Sequence, residues 1–332
     1  MATAFTELLD IDFPVVQAPI GGLAQPPLAA AVSNAGALGT LALTWLAPEE
    51  IGPTMEATRS LTARPFGVNL VLAWPQQERL RAALDAGARL VSLTWGDPTP
   101  YVRSIHDAGG LVALTVGSAR EAREAVAAGV DLIVAQGWEA GGHVRGEVAT
   151  LPLVRAVVDA VQPTPVLAAG GLADGRGLAA VLALGASAGW FGTRFVMCEE
   201  ATSLPRYREL LASADEASTL HTTLFDIGWP NAPHRVLRTP MTDAWERAGR
   251  PSPGQRPGEG DVVARWRDGK EIPRYDTTSP RVGVEGNVDA LSLWAGQSVG
   301  TISDVLPAAE IVRAIMDDAQ TALGSAARAL AP

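Results

Sequence analysis

Eight short apolar runs, each followed by a segment of helical period, occupy residues 13–200 and leave this chain few folds to adopt. The runs are Val15–Ala18, Ala37–Leu41, Phe66–Leu70, Leu90–Leu93, Leu111–Thr115, Leu132–Ala135, Pro165–Ala168 and Ala188–Phe191. They are continuously apolar and bounded by Gly, Pro or Asp, the pattern of strands buried on both faces. Alanine-rich segments of helical period lie between them: Pro27–Asn34, Pro48–Ser60, Gln76–Ala86, Pro100–Ala108, Ala119–Ala128, Leu151–Ala160 and Gly175–Leu184. Several end in an Ala-Gly or Leu-Gly step, such as Ala86-Gly87 and Leu184-Gly185. Glycine there suits the left-handed residue that closes a helix. Strand–helix units in series make a parallel sheet with right-handed crossovers. Eight is the number that closes a barrel, so the expected fold is an α/β (β/α)8 TIM barrel, with a doubly wound open sheet as the alternative.

The pattern changes after Glu200. Residues 235–280 are rich in Pro, Gly and Arg, and the stretch RAGRPSPGQRPGEGD has no apolar period. It reads as an irregular excursion, partly a surface loop. Helical patterns flank it at Pro205–Ala214 and Pro307–Leu323. The expected organisation is a barrel over residues 1–203, a substrate-side subdomain or lid over 204–303, and a C-terminal helix over 304–332 that packs back on the barrel. With 47% hydrophobic and 19% charged residues the chain can build a large core. A net charge of −10 argues against a nucleic-acid partner. Cys198 is the single cysteine, so no intramolecular disulfide and no cysteine-rich metal site is expected. The first residues are acidic rather than basic, and no apolar run is long enough to span a membrane. Composition therefore points to a cytoplasmic enzyme acting on a small molecule, and it is compatible with a homodimer.

In such a barrel the site lies at the C-terminal ends of the strands. Those ends read Gln17-Ala18-Pro19-Ile20-Gly21-Gly22, Asn69, Thr94-Trp95-Gly96, Thr115, Gln136-Gly137, Gly141-Gly142-His143, Ala169-Gly170-Gly171 and Gly192-Thr193. The set has few charges and many small or amide-bearing residues, which suits a flat neutral ring held by backbone and amide groups. Gly170-Gly171 after the seventh strand and Gly192-Thr193 after the eighth stand where barrels commonly bind phosphate. A ring with a phosphate implies FMN.

These segments resemble the nitronate monooxygenases, formerly called 2-nitropropane dioxygenases. The likeness rests on Gln17-Ala18-Pro19-Ile20-Gly21, Gly67-Val68-Asn69-Leu70, Ala135 through His143, Ala168 through Gly175, and Gly192-Thr193-Arg194-Phe195. The late Ala295-Gly296-Gln297-Ser298-Val299-Gly300 is similar to a Gly-Gln element of the same superfamily. The resemblance implies an FMN-dependent barrel that oxidises alkyl nitronates with O2 and without a metal. It implies that Gln17, Ala18, Pro19 and Ile20 pass under the flavin, with Asn69 and Gln136 as flanking amides. Gly141, Gly142, Ala169, Gly170, Gly171, Gly192 and Thr193 then serve the ribityl-phosphate side, and Gln297 joins the cofactor set.

His143 matches the family's histidine over the flavin, as base or anion partner. Its neutral form can take a proton from a carbon beside a nitro group, and its protonated form can pair with a nitronate. An almost unperturbed histidine would meet that task. Glu139 stands four residues before it and either orients the imidazole or faces solvent. Trp95 and Trp138 fall at strand ends, as pocket walls or as filler. His106 reads as a surface residue and Cys198 as a buried structural thiol. An NAD(P)H-dependent flavin reductase of the same fold, acting on an enoyl thioester or a quinone, is the alternative function. A non-catalytic barrel that binds FMN or a phosphate is a third reading, which turnover with any electron donor excludes.

Overall fold

Backbone hydrogen bonds carry eight parallel strands around a ring. A computed structural model describes residues 2–330. The barrel strands are β1 (Val15–Gln17), β2 (Gly39–Ala42), β3 (Phe66–Val71), β4 (Leu90–Thr94), β5 (Leu111–Val116), β6 (Leu132–Gln136), β7 (Val166–Ala169) and β8 (Ala188–Phe191). Each pairs in parallel with its neighbour from β2 through β8, and β8 pairs with β1. The seam between β1 and β2 closes through Leu38, whose N–H donates to Val15 O and whose carbonyl accepts from Gln17 N, both at 2.9 Å. The buried Gln17 side chain extends that seam: Oε1 accepts from Thr40 N at 3.0 Å and Nε2 donates to Thr40 O at 3.2 Å. The fold is the (β/α)8 barrel expected from the sequence, and the strands begin and end within two residues of the apolar runs.

Side chains that point inward, among them Val16, Leu38, Leu90, Leu132, Val134, Leu167 and Trp190, fill the barrel interior. Phe5, fully buried on the N-terminal helix Ala4–Leu9, joins that cluster. A second, larger cluster lies between the strands and the surrounding helices. Burying each of these large side chains contributes roughly 1.5–3 kcal/mol, so the ring is held by many modest increments.

Only a four-residue helix, Thr193–Val196, follows β8. The long helix Ala308–Leu330 takes the outer position and packs on helices Gly175–Ala183 and Pro26–Asn34. Its buried face, Ala308, Ile311, Val312, Ile315, Met316 and Ala319, has the three-and-four spacing of an amphipathic helix. Residues 197–307 are thus inserted between β8 and its helix. They leave and return at one neck, where Cys198 pairs with Leu306 and buried Arg194 donates to Asp304 Oδ1 at 2.5 Å.

The insertion is more ordered than its composition suggests. Residues 235–280 include most of the strand His234–Leu237, the helix Pro240–Arg247 and the strands Val262–Trp266 and Glu271–Pro273. These strands are short and keep one wet face, so their apolar period spans too few residues to stand out. The Pro- and Gly-rich stretch between helix and strand is irregular, but Arg256 pins it. That guanidinium is buried, donates to Leu224 O at 3.0 Å and Asp226 Oδ1 at 2.8 Å, pairs with Glu259, and lies 4.3 Å over the Tyr275 ring. Among the described residues no helix is long and apolar enough to cross a membrane.

Candidate active site

The C-terminal ends of the strands form the floor of a cavity of about 950 Å³, roofed by the insertion. Ala18, Pro19, Ile20, Asn69, Gln136, Gly141, Gly142, His143, Ala169, Gly170, Gly171, Gly192 and Thr193 all line it. Two expected residues lie elsewhere. Gln17 spends its amide on the barrel seam, and Gln297 is off the lining, with its backbone N–H donating to Glu139 O at 2.9 Å. Trp95 lines the cavity; Trp138 instead lies under the Arg235 guanidinium, 4.2 Å away.

The loop after β6 is folded by close backbone approach. A side chain at Gly141 would come within 2.5 Å of the Ala295 and Gly296 backbone. After β7, Gly170 and Gly171 take φ of +103° and +69°, a region that L side chains rarely adopt. Glu139 does neither of the things its spacing suggested. Its carboxylate accepts from Thr150 N at 2.8 Å and Thr150 Oγ1 at 2.9 Å, capping the helix Thr150–Val161. Gly170 O also lies 3.0 Å from Thr150 Oγ1, so the single hydroxyl proton is shared between that carbonyl and the carboxylate. The β6 loop and the β7 loop are therefore tied together through one helix N-terminus.

Gly142–His143 forms a short strand of its own, antiparallel to the insertion strand His234–Leu237. Gln136 Nε2 donates to the His143 carbonyl at 3.2 Å. The His143 ring is walled by aromatics: Trp229 stacks at 4.0 Å between centroids, with Trp294 at 5.1 Å, His234 at 5.4 Å and Trp95 at 6.1 Å. Its Nε2 is buried and has no partner among the described residues. Burial, reinforced by His234, pushes its pKa down to about 3. The sequence suggested an almost unperturbed histidine; the tryptophans brought in by the insertion remove the water that would stabilise the charged ring. His234 is a structural residue. Its Nδ1 lies 2.8 Å from Ala232 O and its Nε2 accepts from Phe225 N, which fixes one neutral tautomer.

Sequence reasoning missed Trp229 and Trp294 altogether. Trp74 and Trp45 extend the aromatic wall, with Trp74 at 4.9 Å from Trp229 and 6.0 Å from Trp45. The available signal was compositional, because tryptophans number nine against six Phe and three Tyr. Trp95 also carries a φ of +62°, unusual for a bulky residue. Such strain costs on the order of 1–3 kcal/mol and concentrates at functional sites. His106, in contrast, is exposed beside Asp131, and the Cys198 thiol is buried, with burial raising its pKa.

The floor fits a flavin mononucleotide. It is uncharged, glycines give it close backbone approach, and Asp276 is the one carboxylate among the residues that line the cavity. That carboxylate already accepts from Thr278 N at 2.7 Å.

Comparison with known proteins adds a family match and three likenesses. The family model for nitronate monooxygenase matches residues 2–80 and 72–318. A nitronate monooxygenase of Pseudomonas aeruginosa is 35% identical, over 96% of this chain and 99% of the relative. A (3aS,4S,5R,7aS)-5-hydroxy-7a-methyl-1-oxo-octahydro-1H-indene-4-carboxyl-CoA dehydrogenase of Mycobacterium tuberculosis is 33% identical, over 98% of both chains. The solved structure of FabK from Thermotoga maritima superposes with a TM-score of 0.87 at 32% identity, covering 99% of this chain and all of that one.

Proposed function

The chain belongs to the nitronate monooxygenase family of oxidoreductases, and from that premise we propose that it is an FMN-dependent enzyme that oxidises alkyl nitronates with O2. The observation that carries this reading is His143, uncharged and with an unpartnered Nε2, set beside an uncharged strand-end floor. Backbone groups of Gly170, Gly171, Gly192 and Thr193 would hold the FMN phosphate, with Ala18–Ile20, Asn69 and Gln136 along the ring. When bound, FMN supplies a two-electron acceptor.

Neutral His143 leaves a ring nitrogen free to accept a proton from the carbon beside a nitro group. The nitronate so formed is an anion next to the imidazolium, and an adjacent opposite charge favours the protonated ring. The residue's low resting pKa is thus offset only when the anion is present. A nitronate supplied as such needs no proton removed. The tryptophan wall keeps water away from the pair and strengthens their attraction.

A second reading, an NAD(P)H-dependent flavin reductase acting on an enoyl thioester or a quinone, draws on the likeness to FabK and to the carboxyl-CoA dehydrogenase. An absorption spectrum of the purified protein tests the cofactor. Anaerobic bleaching of that spectrum by propionate 3-nitronate, and not by NADH, supports the first reading; the reverse supports the second.

A further inference from the structure

Six of the nine tryptophans line the one cavity, and four of these stand ring to ring. Trp45 lies 6.0 Å from Trp74, Trp74 lies 4.9 Å from Trp229, and Trp229 lies 5.1 Å from Trp95, each pair edge to face. Trp229 in turn stacks on His143. Trp45, Trp74 and Trp95 rise from the segments after β2, β3 and β4, and the insertion adds Trp229. In the closed ring β3 and β4 stand across the mouth from β7 and β8, whose loops carry the proposed phosphate position. The wall is therefore on the far side of the mouth from that end of the flavin. Of the cavity-lining residues that come from β2 to β4 and the segments after them, Arg79 alone is charged, and its Nε donates to Leu46 O at 2.7 Å.

Exposure rises along the wall, away from His143. Trp229 is 8% exposed, Trp74 and Trp95 are half-buried, and Trp45 is 59% exposed. Packing accounts for Trp229, which clusters with Val71 and Ala232. It does not account for Trp45, which joins none of the buried clusters among the described residues. Its ring instead reaches toward the β1 loop, where a Cβ at Gly21 would lie 3.5 Å from Cζ3. An apolar surface left wet at the rim of a cleft marks a ligand groove.

We propose that Trp45, Trp74 and Trp95 form a subsite for an aromatic ring carried by the substrate, so that the substrate class is arylalkyl nitronates rather than the smallest alkyl ones. The nitro-bearing carbon sits at His143, and the aryl body lies outward along the wall. Edge-to-face neighbours leave indole faces and edges turned at steep angles to one another, and a flat ring can meet them by stacking and by edge contact at once. A saturated ring of the same size covers the same area but lacks the π-face. The strained backbone of Trp95, at φ +62°, holds its indole against Trp229 within this subsite. The inference rests on the nitronate reading for the reacting group alone.

Two measurements on the flavin-loaded protein test it. The first is kcat/KM for the nitronates of nitroethane, (2-nitroethyl)cyclohexane and (2-nitroethyl)benzene. The phenyl compound should exceed nitroethane by about thirtyfold, the worth of burying one ring, and the cyclohexyl compound by about fivefold less, the worth of aromatic pairing. Trp74→Leu should bring phenyl down to cyclohexyl, whereas Trp74→Phe should keep them apart. Trp45→Ala should lower the phenyl-to-ethyl ratio by about fivefold. The second is isothermal titration with 2-phenylethanol and 2-cyclohexylethanol, which carry no nitro group. The phenyl alcohol should bind more tightly, and Trp74→Leu should erase the difference. Failure to oxidise any nitronate, with that binding difference intact, removes the nitronate reading and leaves the aryl subsite standing. A cyclohexyl body as good as phenyl in both measurements, or a phenyl preference unchanged in Trp74→Leu and Trp45→Ala proteins that keep their flavin, overturns the subsite.

Discussion

His143 lies almost face to face with Trp229, their ring centroids 4.0 Å apart and their planes 27° from parallel. Trp229 is buried and comes from the insertion, whereas His143 follows a barrel strand. The insertion therefore sets the protonation state of a barrel residue. Trp229→Ala should admit water and raise the His143 pKa from about 3 toward 6.5, while Trp229→Phe should hold it low. Titration of the imidazole proton by NMR reads the difference. An unmoved value in the alanine variant would show that Trp229 does not control it.

Stability should depend on pH through the same group. His143 is lowered to about 3 and His234 to about 4, both mainly by burial, from an ordinary value of 6.5. Between those values and 6.5 the unfolded chain binds more protons than the folded one, so stability rises with pH. The contribution is complete above about 6.5 and is lost as pH falls toward 4 and then 3. Thermal midpoints should drop from pH 7 to pH 4, and His143→Asn should flatten that slope.

The base role predicts an asymmetry. His143→Asn should slow oxidation of a neutral nitroalkane by about two to four orders of magnitude, the range for a positioned base. The corresponding nitronate should lose far less. Steady-state rates on one nitroalkane and its own nitronate give the ratio; equal losses would refute proton abstraction by His143.

Gly171 separates charge from strain at the proposed phosphate position. Its φ of +69° strains any side chain, although the nearest atom to an added Cβ, Glu139 Cβ, is an ordinary 3.5 Å away. Asn tolerates that conformation best and is uncharged. Gly171→Asn should retain much of the flavin, and Gly171→Asp should lose most of it. Equal flavin content, by absorbance after gel filtration, would remove the phosphate from this loop.

Arg256 is the anchor of an otherwise irregular stretch. Removing one partner from a buried charge cluster costs roughly 3–5 kcal/mol. Arg256→Ala should therefore open the 250–260 segment to limited proteolysis while the barrel stays folded. The barrel has its own interior core, which residues 250–260 do not enter. Loss of both together would show that the two parts melt as one.

What could be read from the sequence, and what could not, divides along the same line. Strands such as Leu132–Gln136 are buried on both faces, so they appear as plain apolar runs, and their ends put Asn69, Gln136 and the glycine pairs in order. His143 could be placed at its strand end by counting. Its environment could not, because Trp229 and Trp294 are far along the chain in a region of weak period. Glu139 was ambiguous for a similar reason: its partner, Thr150, lies eleven residues on and meets it only because the loop doubles back. Arg256 and Arg281 carried no signal, since sequence alone does not show a guanidinium over Tyr275 or against Gly22.

The pairing of Cys198 with Leu306 has a consequence for how such a chain can change. Because residues 199–305 begin and end at one point, the ring of strands is indifferent to how many residues they number. Closing a loop twice as long costs only about 0.6 kcal/mol more. Length is therefore nearly free in this one place and costly within the strand–helix units, where one added residue would turn a side chain from one face to the other. A chain built this way can exchange the roof over its site wholesale while the floor keeps its register, so descendants that differ in what they admit need not differ in the barrel.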